Sequence, residues 1–217
     1  MKKLFLSLTL ILLVLSGCKT NVDPFAYEEP MYGGTCEPLK EKKEGVSNND
    51  IKAGWEDFHI NRDYNNAMKH FNEAWYNNSD NPQAYWGIGV VLEAEALQEN
   101  SLEKLEASLK ILEKANAMDP LNPSIMNALG KVLTESAVNR KDAEEKATLL
   151  KAAEDLFSTA CSKINPKGTF FFNWSVCLYH QERYDEAWNK LVKANELNYK
   201  IPPDYLASMK SKLKKQP

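Results

Sequence analysis

The chain has 217 residues and a formal net charge of −3, from 27 basic and 30 acidic residues. It lacks the excess of Lys and Arg that neutralises phosphates, so its composition argues against a nucleic-acid-binding protein. The length suits one ordinary domain or a short repeat array. Glycine is scarce, at 9 residues, and the many Ala, Leu, Glu and Lys residues favour helices.

The first predicted element is an export signal over residues 1–17. A basic start, "MKK", precedes an apolar run of 12 residues at positions 4–15. This run is shorter than the roughly 20 residues that span a bilayer, and it has the length of the apolar part of a secretory signal peptide. The letters "LSGC" at positions 15–18 then resemble the lipobox of bacterial lipoproteins.

The lipobox resemblance implies cleavage before Cys18, diacylglycerol on its thiol and an acyl group on the new amino terminus. Two or three acyl chains are enough for stable membrane anchoring. We therefore expect a lipid-anchored protein of a bacterial cell envelope, with no cofactor besides this covalent lipid. Lys19 favours the periplasmic side of the outer membrane if the source is Gram-negative. The alternative is an ordinary signal peptide with an incidental cysteine.

Residues 18–49 are predicted to be the lipidated amino terminus and a flexible linker. Prolines, a Gly-Gly pair and mixed charges interrupt any apolar period there. Large apolar residues also occur in this segment. They are either incidental, or they mark a segment that docks on the folded part of the chain or on a partner. These residues are Phe25, Tyr27, Met31 and Tyr32.

From residue 50 the chain repeats, and residues 50–213 form the predicted folded domain. A pattern of large, small, large and Ala recurs at intervals of 3, 4 and 3 residues, which places each set of four on one helix face. The four copies are Tyr64, Ala67, Phe71, Ala74; Leu105, Ser108, Leu112, Ala115; Leu150, Ala153, Phe157, Ala160; and Tyr184, Ala187, Leu191, Ala194.

A second motif precedes each of these helices and contains a small residue in its middle. Because a small residue weakens a helix, it indicates close approach of a neighbouring helix. The clearest copies are Tyr85-x2-Ile88-Gly89-x2-Leu92, Met126-x2-Leu129-Gly130-x2-Leu133 and Phe171-x2-Trp174-Ser175-x2-Leu178. In the first copy we place the small position at Trp55, with Gly54 shifted by one residue.

Together the two motifs resemble the tetratricopeptide repeat (TPR). The resemblance implies an all-α fold, a right-handed helix-hairpin solenoid of about four TPR-like repeats. The amphipathic segment 201–213 would be a C-terminal capping helix, because the end of a solenoid must cover its apolar face. The alternative is a non-repeating helical bundle.

The repeats are not equally long. From the small position of the first helix to that of the second, the spacing is 12 residues in copies one and four, 19 in copy two and 23 in copy three. The extra 7 and 11 residues approximate two and three helical turns. We therefore predict longer helix hairpins in copies two and three, with Asn100 and Asp142 as N-caps of their second helices.

The sequence offers no motif for catalysis, so we expect no enzyme activity and no small-molecule substrate. His59, His70 and His180 are far apart and lack metal-ligand spacing, so no metal site is predicted. Cys161 and Cys177 are interpreted as small core residues, with a disulfide between them as the alternative.

TPR-like solenoids usually bind protein segments on their concave face, which is lined by the first helices. We expect an adaptor or assembly factor that binds an envelope protein or peptide segment. The alternative is a structural lipoprotein whose groove is occupied by its own residues 24–36. The candidate groove residues are Lys52, Glu56, His59, Trp86, Val90, Glu93, Asn127, Lys131, Thr134, Phe172, Val176 and Tyr179.

Overall fold

The computed structural model describes residues 37–163 and 165–213. Within these two ranges the chain forms nine α-helices and one π-helical turn, and it contains no β-strand. None of the helices in these ranges is both long and apolar enough to cross a membrane. The export signal and Cys18 lie outside the described residues, as do Phe25, Tyr27, Met31 and Tyr32.

The helices form four hairpins followed by a single C-terminal helix. The first hairpin contains α1 (Glu44–Glu56), a π-helical turn (Asp57–Asn61) and α2 (Tyr64–Asn77). The others are α3 (Pro82–Glu99) with α4 (Leu102–Met118), α5 (Pro123–Val138) with α6 (Ala143–Cys161), and α7 (Gly168–His180) with α8 (Tyr184–Glu196). The last helix is α9 (Pro203–Leu213).

The hairpins stack in chain order. Each helix packs against its hairpin partner, and α2, α4 and α6 also pack against the first helix of the next hairpin. The first helices of successive hairpins contact one another and form an inner layer. Helix α9 packs against α8, and the Tyr205 hydroxyl lies 2.8 Å from Ser175 Oγ on α7. The predicted helical solenoid with a C-terminal cap is confirmed.

The predicted small positions are sites of close helix approach. A Cβ atom added to Gly89 would lie 2.6 Å from the Leu112 side chain, and one added to Gly130 would lie 2.9 Å from the Phe157 ring. In the fourth hairpin Ser175 occupies this position, and its hydroxyl donates to the Ala187 carbonyl at 2.8 Å. The seam between the two helices of a hairpin therefore requires a small residue.

In the first hairpin the predicted small position, Trp55, is wrong by one residue. A Cβ atom on Gly54 would lie 2.7 Å from the ring of Phe71, so Gly54 faces the partner helix. The spacing from Gly54 to Ala67 is 13 residues, one more than in the fourth hairpin. The π-helical turn at Asp57–Asn61 accommodates the extra residue, because such a turn is a one-residue insertion in a helix.

The extra residues of hairpins two and three lengthen their helices, as predicted. Helices α3 to α6 contain 18, 17, 16 and 19 residues, whereas α1, α7 and α8 each contain 13. Asp142 caps α6 by accepting a bond from the Glu145 N–H at 2.8 Å. Asn100 is not the cap of α4: it ends α3 in a left-handed conformation, and Ser101 accepts from the Lys104 N–H.

The helical array begins before residue 50, inside the segment 18–49 that we predicted to be linker. Helix α1 starts at Glu44, and the Leu39 N–H donates to the Tyr76 carbonyl at 2.9 Å. The buried face of the first turn of α1 is polar. Ser47 is fully buried there, and its hydroxyl donates to the Ala74 carbonyl at 2.8 Å. Apolar periodicity therefore could not locate the start of the helix.

The two cysteines of the described ranges are free thiols. Cys177 is fully buried, and its thiol donates to the Leu150 carbonyl at 3.3 Å. Cys161 packs beside a different cluster of apolar residues, and burial raises the pKa of its thiol to about 11. Cys177 is confirmed as a core residue, whereas Cys161 is only partly buried, and the alternative of a Cys161–Cys177 disulfide is wrong.

Candidate functional site

The inner layer of first helices lines a cavity of about 430 Å³, which we call the concave groove. It crosses the first helices of all four hairpins and is also lined by residues of the loops that precede α7 and α9. The predicted residues that line it are His59, Trp86, Val90, Glu93, Asn127, Lys131 and Phe172. The geometry therefore brings together predicted residues from all four repeats.

One end of the groove is an aromatic wall built by the first two hairpins. The Trp55 and Trp86 rings lie 4.4 Å apart between centroids, and His59 stacks on Trp55 at 5.4 Å with an angle of 15°. Burial, followed by the charges of Arg62 and Lys167, lowers the pKa of His59. The imidazole is therefore neutral at pH 7 and acts as part of the apolar wall.

The opposite end of the groove is a second aromatic wall. Phe172 of α7 stacks on Tyr199 with 4.8 Å between ring centroids and an angle of 27°. Tyr199 is held in the loop after α8 because its N–H donates to the Ala194 carbonyl at 3.0 Å. Phe170 lines the groove beside them. Two aromatic surfaces thus face a common cavity from different repeats.

Between the walls the groove floor is polar. Lys131 Nζ lies 2.6 Å from Glu93 Oε1 and 3.7 Å from Glu135 Oε1. Burial opposes the charged ammonium, but the two carboxylates outweigh it and raise the pKa of Lys131. The Asn173 amide donates to Asn127 Oδ1 at 3.0 Å. The floor therefore combines a buried ion cluster with an amide pair.

Beyond this ion cluster lies a second cavity of about 250 Å³, which we call the side cavity. Two further predicted residues, Thr134 and Val176, lie here and not in the concave groove. The Thr134 hydroxyl donates to the Gly130 carbonyl at 2.8 Å, so it is used within its own helix. The lining residues are Ala96, Leu97, Asn100, Ser101, Leu102, Leu105, Thr134, Glu135, Val138, Asn139, Val176 and His180.

Three predicted residues line neither of these two cavities. Lys52 and Glu56 are exposed on α1. Tyr179 packs on Tyr184 at 5.4 Å and on Tyr205 of α9 at 5.7 Å, between ring centroids. Tyr179 therefore packs against the capping helix α9 and does not line the groove.

Several groove residues were missed by the sequence analysis, two of them because of the register error in the first copy. Counting from Gly54 instead of Trp55 moves the predicted positions from Glu56 and His59 to Trp55 and Phe58, which both line the groove. Tyr199 belongs to a loop, where helical periodicity carries no signal. The missed residues are Trp55, Phe58, Ser124, Ala128, Lys167, Thr169, Phe170, Asn173 and Tyr199.

The groove presents both apolar and polar groups. Its walls offer aromatic faces, and its floor offers amide, ammonium and carboxylate groups. Among residues 37–163 and 165–213, no group of three or more His, Cys, Asp or Glu side chains is placed to hold a metal ion. Trp86 Nε1 is buried without a hydrogen-bond acceptor among the described residues.

Comparison with known proteins identifies the fold. The structure is similar to the crystal structure of a thermophilic TPR protein in Thermus thermophilus, with a TM-score of 0.59 and 17% sequence identity. The similarity covers 70% of this chain and 74% of that chain. No family model and no curated protein significantly matches the chain. The chain folds as an all-α solenoid of TPR-like repeats.

Proposed function

We propose that this protein is an adaptor or assembly factor that holds a segment of a partner protein in the concave groove. The observation that carries this proposal is the pair of aromatic walls, Trp55 with Trp86 and Phe172 with Tyr199, which face one cavity from opposite ends. Such a cavity accepts large apolar side chains at both ends of an extended segment. The polar floor between them accepts backbone groups.

Trp86 and Phe172 are the expected anchors of binding. Aromatic side chains in desolvated pockets contribute most of the binding free energy in protein interfaces. Both residues are only half-buried in the described structure, although each stacks on a neighbouring ring. A partner segment would bury the remaining apolar surface of both side chains.

The second part of the proposal is an address at the cell envelope. It is supported by the basic start, the short apolar run and the "LSGC" letters that end at Cys18. Lipid on this cysteine would hold the helical array at a membrane surface, where acyl chains give stable attachment. The partner would then be an envelope protein or a segment of one.

In-cell crosslinking tests the groove. The variant Trp86→Ala with Phe172→Ala should reduce the yield of the captured partner at least roughly ten-fold, since two anchors are removed. A matched control is Met118→Ala with Leu121→Ala, which truncates two exposed apolar residues that line neither cavity. Equal yields from the groove variant and the wild type would refute binding in the groove.

A second variant tests whether the chain occupies its own groove. Replacing Phe25, Tyr27, Met31 and Tyr32 with Ser should increase capture if residues 24–36 compete with the partner. Unchanged capture is expected if the groove is reserved for the partner. An increase would show that residues 24–36 compete with the partner for the groove, whereas no capture by either form would favour the alternative of a structural lipoprotein.

The lipid anchor is tested separately by fractionation. Cys18→Ser should move the protein from the membrane fraction to the aqueous fraction, because the thiol is the site of diacylglycerol attachment. Ser7→Ala, inside the apolar run, is the control and should leave the distribution unchanged. Salt-resistant membrane association of Cys18→Ser would contradict lipid anchoring.

A further inference from the structure

The side cavity is lined by an unusual concentration of exposed apolar residues. Leu97, Leu102 and Val138 are 56%, 52% and 45% exposed, and all three line the same 250 Å³ cavity. Val176 of α7 completes the apolar wall. Large apolar residues gathered around one concavity mark a binding surface more often than scattered ones do.

Glu135 is the carboxylate that lines this apolar cavity. Glu135 Oε2 is buried and has no hydrogen-bond partner among the described residues. Its other oxygen, Oε1, lies 3.7 Å from Lys131 Nζ, which makes a closer contact of 2.6 Å with Glu93. One ammonium thus serves two carboxylates, and the ion cluster has one negative charge in excess when both are ionised.

The other charged groups nearby do not neutralise Glu135. His180 lines the same cavity, and burial followed by the charge of Lys146 lowers the pKa of its imidazole, so it is neutral at pH 7. Lys104 of α4 binds Glu95 at 2.9 Å and Glu99 at 2.7 Å on the other side of the α3–α4 turn. The side cavity is therefore apolar on its walls and acidic at one point.

We infer that the side cavity receives a lysine or arginine side chain of the partner polypeptide, with its aliphatic stem on Leu97, Val138 and Val176 and its charged tip on Glu135. This inference rests on the proposed function and names one feature of the partner. Lys and Arg combine an apolar stem with a cationic tip, which is the pattern of this cavity. Charge-assisted hydrogen bonds to a carboxylate are stronger than neutral ones.

The charge of the site selects among possible occupants. A neutral side chain of similar length, such as Met, would cover the apolar wall but leave the excess negative charge of the Glu93–Lys131–Glu135 cluster without a cation. An acidic side chain would be repelled by Glu135 and Glu93. The partner segment should therefore place a basic residue next to the large apolar residues that enter the concave groove.

The test uses n-pentylammonium, which reproduces the stem and tip of a lysine side chain, and 1-pentanol as its neutral match. Methyl chemical shifts of Leu97, Val138 and Val176 in the full chain report binding. We expect both compounds to move these signals, with pentylammonium binding roughly ten-fold more tightly at pH 8 because only it pairs with the carboxylate.

Variants distinguish the contribution of the Glu135 charge to binding from that of the apolar walls. Glu135→Gln should remove the preference for pentylammonium and leave pentanol binding intact, whereas Glu144→Gln, an exposed site on α6, should change neither. Val138→Lys places an ammonium one turn from Glu135 and should block pentylammonium if the cavity is the site. Equal affinity for both compounds in the wild type, or a preference retained in Glu135→Gln, would overturn the inference.

Partner capture distinguishes this inference from the proposed function. Glu135→Gln should reduce capture, as should Trp86→Ala with Phe172→Ala. If only the aromatic variant loses the partner, the groove binds it and the basic residue in the side cavity is refuted. If the compounds bind as expected but neither variant loses the partner, the cavity accepts cations and the proposed function fails.

Discussion

Each of the four hairpins has the same kind of seam between its two helices. The two middle hairpins differ from the two terminal ones because their longer helices form additional surface. All four place a small residue, Gly or Ser, at the closest approach of the two helices. In the middle hairpins, whole extra turns continue beyond this seam. Leu97, Leu102 and Val138 belong to those turns, and they line the side cavity.

This difference separates two roles within one repeat architecture. The shared part of each hairpin stabilises the stack and supplies the concave groove. The added turns also contribute buried residues, Ala96 and Ala137, to the core, and they create a second concavity that Glu135 lines. Insertion of whole turns keeps the apolar face in register, so a new surface can form while the packing of the stack is retained.

The largest expected loss of stability follows a substitution in the seam of a middle hairpin. Phe157 is fully buried against Gly130, so Phe157→Ala should lower the free energy of unfolding by about 3–5 kcal/mol, measured by urea denaturation. Leu121→Ala, at a side chain that is 70% exposed, should change it by less than about 0.5 kcal/mol. Equal effects would mean that the seam does not determine stability.

A smaller loss is expected when the small position of the seam is filled. Gly130→Ala should destabilise the chain by about 1–3 kcal/mol, because the new Cβ would lie 2.9 Å from the Phe157 ring. Gly45→Ala in α1 has no atom within 4 Å of the new Cβ. It should therefore stabilise the chain by about 0.5–1 kcal/mol, since Ala is the better helix former. A stabilised Gly130→Ala would contradict the close approach.

The next prediction concerns the turn between α3 and α4, which joins the two long helices of the second hairpin. Ser101→Ala should lower the thermal stability by an amount equivalent to about 1 kcal/mol, because it removes the N-cap of α4. Asn100→Gly should be neutral or slightly stabilising, because Asn100 has φ of 53° and glycine adopts this conformation without strain. A larger loss of stability for Asn100→Gly than for Ser101→Ala would indicate that Asn100 is the N-cap of α4.

A pH dependence of stability is also expected from the added surface. Burial, followed by the charge of Glu93, raises the pKa of Glu135 to about 7 from its ordinary value of 4.5. Between these values the folded chain keeps a proton that the unfolded chain has released, so stability falls as the pH rises. The penalty is complete above pH 7 and absent below pH 4.5.

Urea denaturation at about pH 5 and about pH 8 measures this dependence. The wild type should lose stability at the higher pH relative to Glu135→Gln, whose amide does not ionise. Glu144→Gln is the control and should follow the wild type, since Glu144 is exposed. A wild type that gains stability relative to Glu135→Gln at the higher pH would show that Lys131 outweighs the burial of the carboxylate.

The sequence predicted much of the fold because the repeat signal is local. Gly89 and Gly130 occupy corresponding positions in similar motifs, and the structure places both against a buried side chain of the partner helix. The lengths of the middle hairpins also followed from spacing. The first copy was misplaced by one residue because Gly54 and Trp55 are adjacent, and the motif alone could not choose between them.

The candidate site was less accessible to sequence analysis. Trp55 was missed because of that register error, and Tyr199 because it lies in a loop. The side cavity could not be predicted, since it depends on how residues of four helices, α3, α4, α5 and α7, come together. Glu135 looks like any helical carboxylate in the sequence, and only its surroundings distinguish it.

The sequence by itself determined the helical class, the repeats and the faces of the helices that pack together. These properties depend on residues three or four positions apart, which share one helix face. The tertiary structure decided which residues face one another across repeats, including the aromatic walls and the Glu93–Lys131–Glu135 cluster. The Phe172–Tyr199, Trp55–Trp86 and Glu93–Lys131 contacts join residues 27, 31 and 38 positions apart, and their geometry depends on how the helices pack.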